Sequence, residues 1–232
     1  MFNLKKLLRR SDPTPPQQDV VVSKDEGYHH HVVIDIETLG TDARAVVFSI
    51  GAAQIRFDHS SMMVDRFFYS RLPVTPQLQK PNPRLKDLKT LAWWDSIKEE
   101  EERRKLSHYP NSCVGSAQEL ALALSDTGSA ESVLKSFADW LRFFPACRVW
   151  GNGPSFDNAI MKNLYSDYCM ELPWRYSNER CVRSFGVIGR KLGVERPTPM
   201  IPHHALFDAV SEMQWLMDIH DAIPDKRFSL LD

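Results

Sequence analysis

The run His31-Val-Val-Ile-Asp35-Ile-Glu37-Thr-Leu-Gly40 constrains this chain more than any other segment. Val32 to Ile36 is apolar and mostly β-branched, which predicts a buried strand over 32–37. Side chains alternate across a strand, so Asp35 and Glu37 share one face while Ile34 and Ile36 share the other. Two acids ending an apolar strand are costly to bury without a positive partner. Oxygen ligands suit Mg²⁺ or Mn²⁺, so a divalent cation is the natural candidate. Asp-x-Glu also arises by chance. The pair gains meaning only if later residues supply the missing ligands.

The chain has 232 residues, 43 % of them hydrophobic, with six Trp and twelve Phe. That predicts one α/β domain with a tail rather than two small domains. No stretch is apolar for long enough to span a bilayer. Cys113, Cys147, Cys169 and Cys181 form no CxxC pair. Reduced thiols and a cytoplasmic setting are therefore expected, and a zinc ribbon is not. The formal net charge of −1 argues against holding long duplex DNA by phosphate neutralisation alone. Nucleic acid would have to be gripped over a short stretch, by metal ions and a local patch.

Residues 1–28 read as a flexible tail. Met1 to Arg10 carries four positive charges and no negative ones, and Pro13, Pro15 and Pro16 then block regular structure. Lys5 and Lys6 interrupt its short apolar segment, so a signal peptide is not expected. Strands over 32–37, 45–57 and 62–70 predict an antiparallel meander. Leu85, Leu88, Leu91, Trp94 and Ile97 recur at helical spacing, and the charge run Glu99–Lys105 reads as a solvated helix end or loop. A helix over 131–144, a buried strand over 146–150 and a Gly-Asn-Gly-Pro turn follow. Ser155 is positioned to cap a helix carrying Ile160, Met161, Leu164 and Tyr168. Two more helices fit 179–192 and 204–222. The pattern predicts a mixed α/β sheet with helices on both faces, and ligands at the carboxyl ends of its parallel strands.

Two further acids fall where such a site would lie. Asp157 follows the later strand and its turn, although an acid in a first helical turn also simply complements the helix dipole. Asp208 borders the apolar stripe of Ala209, Met213 and Leu216, a poor place for a surface acid. His203 precedes it by five residues, about 140° round an ideal helix. The two converge only if His203 belongs to the loop entering that helix. Four carboxylates in one cleft repel one another. Two divalent ions roughly 3.5–4 Å apart would convert them into a phosphoryl-transfer site. One ion would polarise water, the other would stabilise a leaving 3′ oxygen, and His203 would accept the proton.

The chain resembles the DEDDh class of 3′–5′ exonucleases. The carrying motifs are Asp35-Ile-Glu37, Asp157 after a later strand, and His203 followed by four residues and Asp208. Phe48-Ser-Ile-Gly51, Trp93-Trp94, Gly151–Asn158 and Arg180-Cys-Val-Arg183 resemble the phage and bacterial branch of that class. Cys181 stands where relatives often carry an acid. The resemblance covers roughly residues 32 to 222, within an exonuclease domain taken as 29–232. It implies a ribonuclease-H-like fold, two divalent cations (Mg²⁺ or Mn²⁺), and release of nucleoside monophosphates from the 3′ end of single-stranded DNA or RNA. It implies too that Thr38 and Leu39 approach the terminal nucleotide, Leu39 as a wedge against the end base. Phe156, Asn158 and Trp94 would line the groove, Trp94 being equally suited to the core. Arg180 and Arg183, three apart on the expected helix, would meet phosphate or lie solvated. The setting implied is the cytoplasm of a bacterial cell, with a phage-encoded origin and a homodimer both compatible.

Two rivals remain at this level. His29-His-His31 prompts a zinc site, but three adjacent histidines without cysteine support do not close one. A catalytically inert nucleic-acid- or protein-binding module on the same fold is the stronger rival.

Overall fold

The computed structural model describes residues 29–57, 62–104 and 129–224. The expected tail over 1–28 lies outside the described residues. Three strands, β1 (His29–Thr38), β2 (Val47–Phe57) and β3 (Met62–Arg71), form the expected meander. After α1 (Val74–Leu78), α2 (Leu88–Arg104) and α3 (Ala130–Leu141) come β4 (Arg148–Gly151) and α4 (Asp157–Asp167). The short strand β5 (Glu179–Cys181) leads into α5 (Val182–Lys191), and α6 (Ala205–Ala222) follows. The sheet order is β3-β2-β1-β4-β5, antiparallel through the meander and parallel from β1 to β5. This is the mixed α/β sheet expected of a ribonuclease-H-like domain.

The alternation along β1 sorts the core into two layers. Val32, Ile34 and Ile36 pack with Leu134, Phe137, Ile160 and Met161, so α3 and α4 cover that face. Val33 points the other way and joins Val182, Phe185, Met213, Trp215 and Leu216 of α5 and α6. Asp35 and Glu37 continue the Val33 row toward the α6 side. A third cluster, Leu39, Val46, Phe48, Val74 and Trp94, seats α2 against the end of the meander. Gly51 matters here, because a Cβ on it would collide with the backbone of Ala205 and Leu206. Only glycine lets the start of α6 lie on β2.

Several local expectations need correction. Residues 179–181 are a parallel edge strand, not the first turn of a helix, since Val149 to Gly151 offer them a ladder. Ser155 caps nothing: Phe156 holds the N-cap position of α4 without a side-chain bond. The Leu85–Ile97 stripe is only half a core stripe. Leu85 lies before α2, bridged to Ala45, and Leu88 is 84 % exposed. The charge run from Glu99 forms the end of α2 as far as Arg104.

Candidate active site

β1 delivers Asp35 and Glu37 to the end of the sheet, and α6 brings Asp208 to them. One oxygen from each of these three carboxylates lies within 4.8 Å of the others. Among the described residues they are the only such grouping of His, Cys, Asp or Glu. Of the histidines of the zinc reading, His30 and His31 point to opposite faces by strand alternation. His31 Nδ1 accepts the Trp150 indole N–H at 2.9 Å inside the sheet, while His30 Nδ1 meets Gln54 Nε2 at 3.1 Å.

Asp208 occupies the first turn of α6, where its Oδ2 accepts the His204 backbone N–H at 3.1 Å. Its Oδ1 accepts Arg196 Nη2–H at 2.9 Å. Asp157 comes from the opposite side, at the start of α4. Gly151 leaves room for it at the end of β4, where a Cβ would lie 3.0 Å from that of Asp157. Its Oδ2 accepts the Asn152 backbone N–H at 2.6 Å, which ties it to the turn and outside the tight trio. Asp157 Oδ1 is buried without a hydrogen-bond partner. A buried, unsatisfied carboxylate oxygen beside three converging acids is what a hard cation satisfies.

The acids carry the strain of this arrangement. Burial, then the neighbouring Glu37, pushes Asp35 well above the ordinary carboxylate range. Burial lifts Asp157 to about 6, with the Asn152 N–H acting against it. Asp208 is raised by burial and held back by Arg196 and His203. All-oxygen ligands of this kind match Mg²⁺ or Mn²⁺, whose charge would reverse these shifts.

His203 sits in the loop before α6, at φ 61°. A positive φ is strained for a β-carbon residue and clusters at functional sites. Here it lets a residue that cannot share the Asp208 helix face turn into the cleft. Trp93 packs edge-on against the imidazole at 4.7 Å between ring centres. Burial lowers the His203 pKa, partly offset by Asp208, so the ring is neutral near pH 7.

A cleft of about 500 Å³ opens on these groups, lined also by Thr38, Lys89, Trp93, Phe156 and Arg196. Thr38 is engaged locally, its hydroxyl on Gly40 O at 2.7 Å and its carbonyl on the Trp94 indole N–H at 2.9 Å. Phe156 and Trp94 line the cleft as expected, Trp94 also belonging to the third core cluster. Leu39 does not face the cleft: at 3 % exposure it packs with Phe48 and Trp94. Asn158 is likewise buried behind β4, donating to Val149 O at 3.4 Å. Arg180 leaves its expected helix for β5 and spends its Nη1 on the carbonyls of Ser177 and Glu179. Arg183 is exposed and lies over the Gly153 turn, near enough to lower the Asp157 pKa.

Three site residues escaped the sequence reading: Glu212, Arg196 and Asn152. Glu212 is fully buried one helical turn beyond Asp208, and its Oε1 pairs with the Arg196 guanidinium at 3.1 Å and accepts from Asn152 Nδ2–H at 2.6 Å. Burial, opposed by Arg196, pushes its pKa well up. The signal was present, because an acid at Asp208 plus four lies beside the same apolar stripe.

The crystal structure of cell-death related nuclease 4 (CRN-4) is similar at 13 % identity, with a TM-score of 0.44. The likeness covers 83 % of this chain and 64 % of that one, somewhat under two thirds of its length. Among curated proteins no sequence matches. The domain family described as 3′-5′ exoribonuclease Rv2179c-like matches residues 30–220, from the first residues of β1 to the last turn of α6. With all four motif acids and His203 inside that span, the chain belongs to the Rv2179c-like 3′-5′ exoribonuclease domain family, a family of exonuclease enzymes.

Proposed function

We propose that the cleft hydrolyses the terminal phosphodiester at the 3′ end of a single-stranded polynucleotide, releasing nucleoside monophosphates by DEDDh-type chemistry. The observation that carries this is the meeting of Asp35, Glu37 and Asp208 oxygens within 4.8 Å, in one cleft with His203. The family description favours RNA over DNA as the polymer. Trp93-Trp94 and the Gly151–Asn158 segment support the phage and bacterial branch, with a cytoplasmic setting. Among the described residues no helix is long and apolar enough to cross a membrane.

Asp35, Glu37, Asp157 and Asp208 would hold two divalent cations, Mg²⁺ or Mn²⁺. When bound, such ions activate water and stabilise charge on the leaving 3′ oxygen. The chain's own contribution is positional. Neutral His203 takes the proton of the attacking water at a ring nitrogen. Phe156 and exposed Trp93 offer faces on which bases stack, and the 43 % exposure of Trp93 leaves that face open. Lys89 in the cleft lining and Arg183 over the Gly153 turn would meet phosphate. One described chain supplies every acid of the site, so a homodimer is not required for chemistry.

The experiment is digestion of matched 5′-labelled single-stranded RNA, single-stranded DNA and duplex with Mg²⁺ or Mn²⁺. Stepwise shortening from the 3′ end, fastest on single-stranded RNA, is expected. No shortening, or shortening that survives both Asp35→Asn and Asp208→Asn, rejects the proposal in favour of an inert binding module.

A further inference from the structure

Arg196, Glu212 and Asn152 tie the two helix-borne acids together. Arg196 Nη2 donates to Asp208 Oδ1 at 2.9 Å, while Nη1 reaches Glu212 Oε1 at 3.1 Å. The same Glu212 oxygen accepts Asn152 Nδ2–H at 2.6 Å, and the Asn152 backbone N–H serves Asp157 Oδ2 at 2.6 Å. Arg196 is anchored in turn by Ser211 Oγ, 3.2 Å from its Nε. A continuous chain of hydrogen bonds and one ion pair therefore runs from Asp208 to Asp157, with Glu212 at its centre.

Stability does not account for that glutamate. Glu212 has no exposed surface, and its Oε2 has no hydrogen-bond partner. An apolar residue of similar volume beside Ala209 and Met213 would serve the core as well or better than a buried ion pair. The pair makes sense through what it touches. A guanidinium in contact with Asp208 opposes a cation on the same carboxylate. Glu212 removes that conflict by balancing the guanidinium charge. Arg196 can then fix the direction of Asp208 while Asp35, Glu37, Asp157 and Asp208 keep their charge for two divalent ions.

We propose that Glu212 is a positioning residue: it neutralises Arg196 and, through Arg196 and Asn152, holds Asp208 and Asp157 ready for cations. This inference rests on the metal-dependent reading above. Its test is Mn²⁺ binding to the full chain without substrate, followed by loss of the free-ion paramagnetic resonance signal. The proteins are wild type, Glu212→Gln, Arg196→Gln and the double variant, each checked by circular dichroism. Glu212→Gln keeps the shape and removes the charge, and should weaken Mn²⁺ binding about tenfold, as loss of a supporting partner does. Adding Arg196→Gln removes the unbalanced guanidinium and should restore at least about threefold. Glu212→Gln within about threefold of wild type, or a smaller recovery in the double variant, overturns the proposal. Should Glu212→Gln fail to fold, Arg196→Gln alone decides: binding weakened by more than about threefold supports it, because Asp208 then loses its anchor, and binding within about threefold of wild type, or tighter, overturns it. A wild type that binds no Mn²⁺ sinks the metal-dependent reading as well. A wild type that binds, with variants off this pattern, sinks the Glu212 role alone.

Discussion

His203 and His204 are neighbours with opposite duties. His203 faces the cleft at φ 61°, and His204 turns inward, stacked on Tyr69 at 4.5 Å between ring centres. His203→Ala should lower the single-turnover rate by roughly 10²–10⁴ while Mn²⁺ affinity stays within about threefold. Equal losses in both would contradict a proton-accepting role. Because burial depresses the His203 pKa, the acid limb of the rate profile should fall below pH 6.5. His204 is held down to about 4 by burial. The unfolded chain therefore gains a proton near pH 6.5 that the folded chain refuses, and stability drains as pH falls from about 6.5 toward 4. The full span corresponds to about 3 kcal/mol from this one group. His204→Phe should remove that slope in urea melts at pH 7 and 4.5; an unchanged slope would assign it elsewhere. Asp35, Glu37, Asp208 and His203 were legible as residues because strand alternation and the Asp208 stripe fixed their faces. The place of Glu212 beside the same stripe was legible too, but its partners Arg196 and Asn152, which give it meaning, are hidden by sequence separation.

At the scale of elements, the site exists because α6 lies flat on the sheet. Gly51 allows its start to touch β2, and Gly186 allows the Trp215 ring to sit against α5. Gly51→Ala would press a methyl group onto backbone that cannot rotate away. A loss of about 2–3 kcal/mol is expected, with activity falling further than stability alone explains, since Asp208 and His203 shift with α6. Gly193→Ala is the matching control, at φ 76° with open space around it. It should cost roughly 1 kcal/mol through backbone strain and leave the rate intact. Chemical denaturation together with single-turnover rates separates the two, and equal activity losses would deny α6 its special place. The meander and most helices could be read from β-branched runs and helical spacing. β5 could not, because Glu179-Arg-Cys181 has no apolar alternation and becomes a strand only through the ladder of β4.

The whole molecule is built around charge that it does not itself neutralise. Burial raises Asp35, Asp157, Asp208 and Glu212 together, and repulsion from neighbouring acids adds to it at Asp35 and Glu212. A carboxyl whose folded pKa lies above its unfolded value contributes stability that is complete below the unfolded pKa and lost as pH rises through the folded one. For Asp157 that window runs from about 3.8 to about 6. Asp35 is shifted in the same direction. In the metal-free chain the contribution of these acids should therefore fall as pH rises, against the opposing rise from His204. Divalent ions bind the deprotonated acids, so their stabilising effect has the opposite pH dependence. The rise in melting temperature on adding Mn²⁺ should be small at pH 5 and large at pH 8. Taking the difference with and without Mn²⁺ at each pH cancels the opposing contribution of His204, which the ion does not reach. Asp35→Asn combined with Asp208→Asn should flatten that difference. A Mn²⁺ effect that is equal at both pH values, or that persists in the double variant, would mean that the ions sit elsewhere. The cleft acids would then be a fold-borne burden with no cation to relieve it.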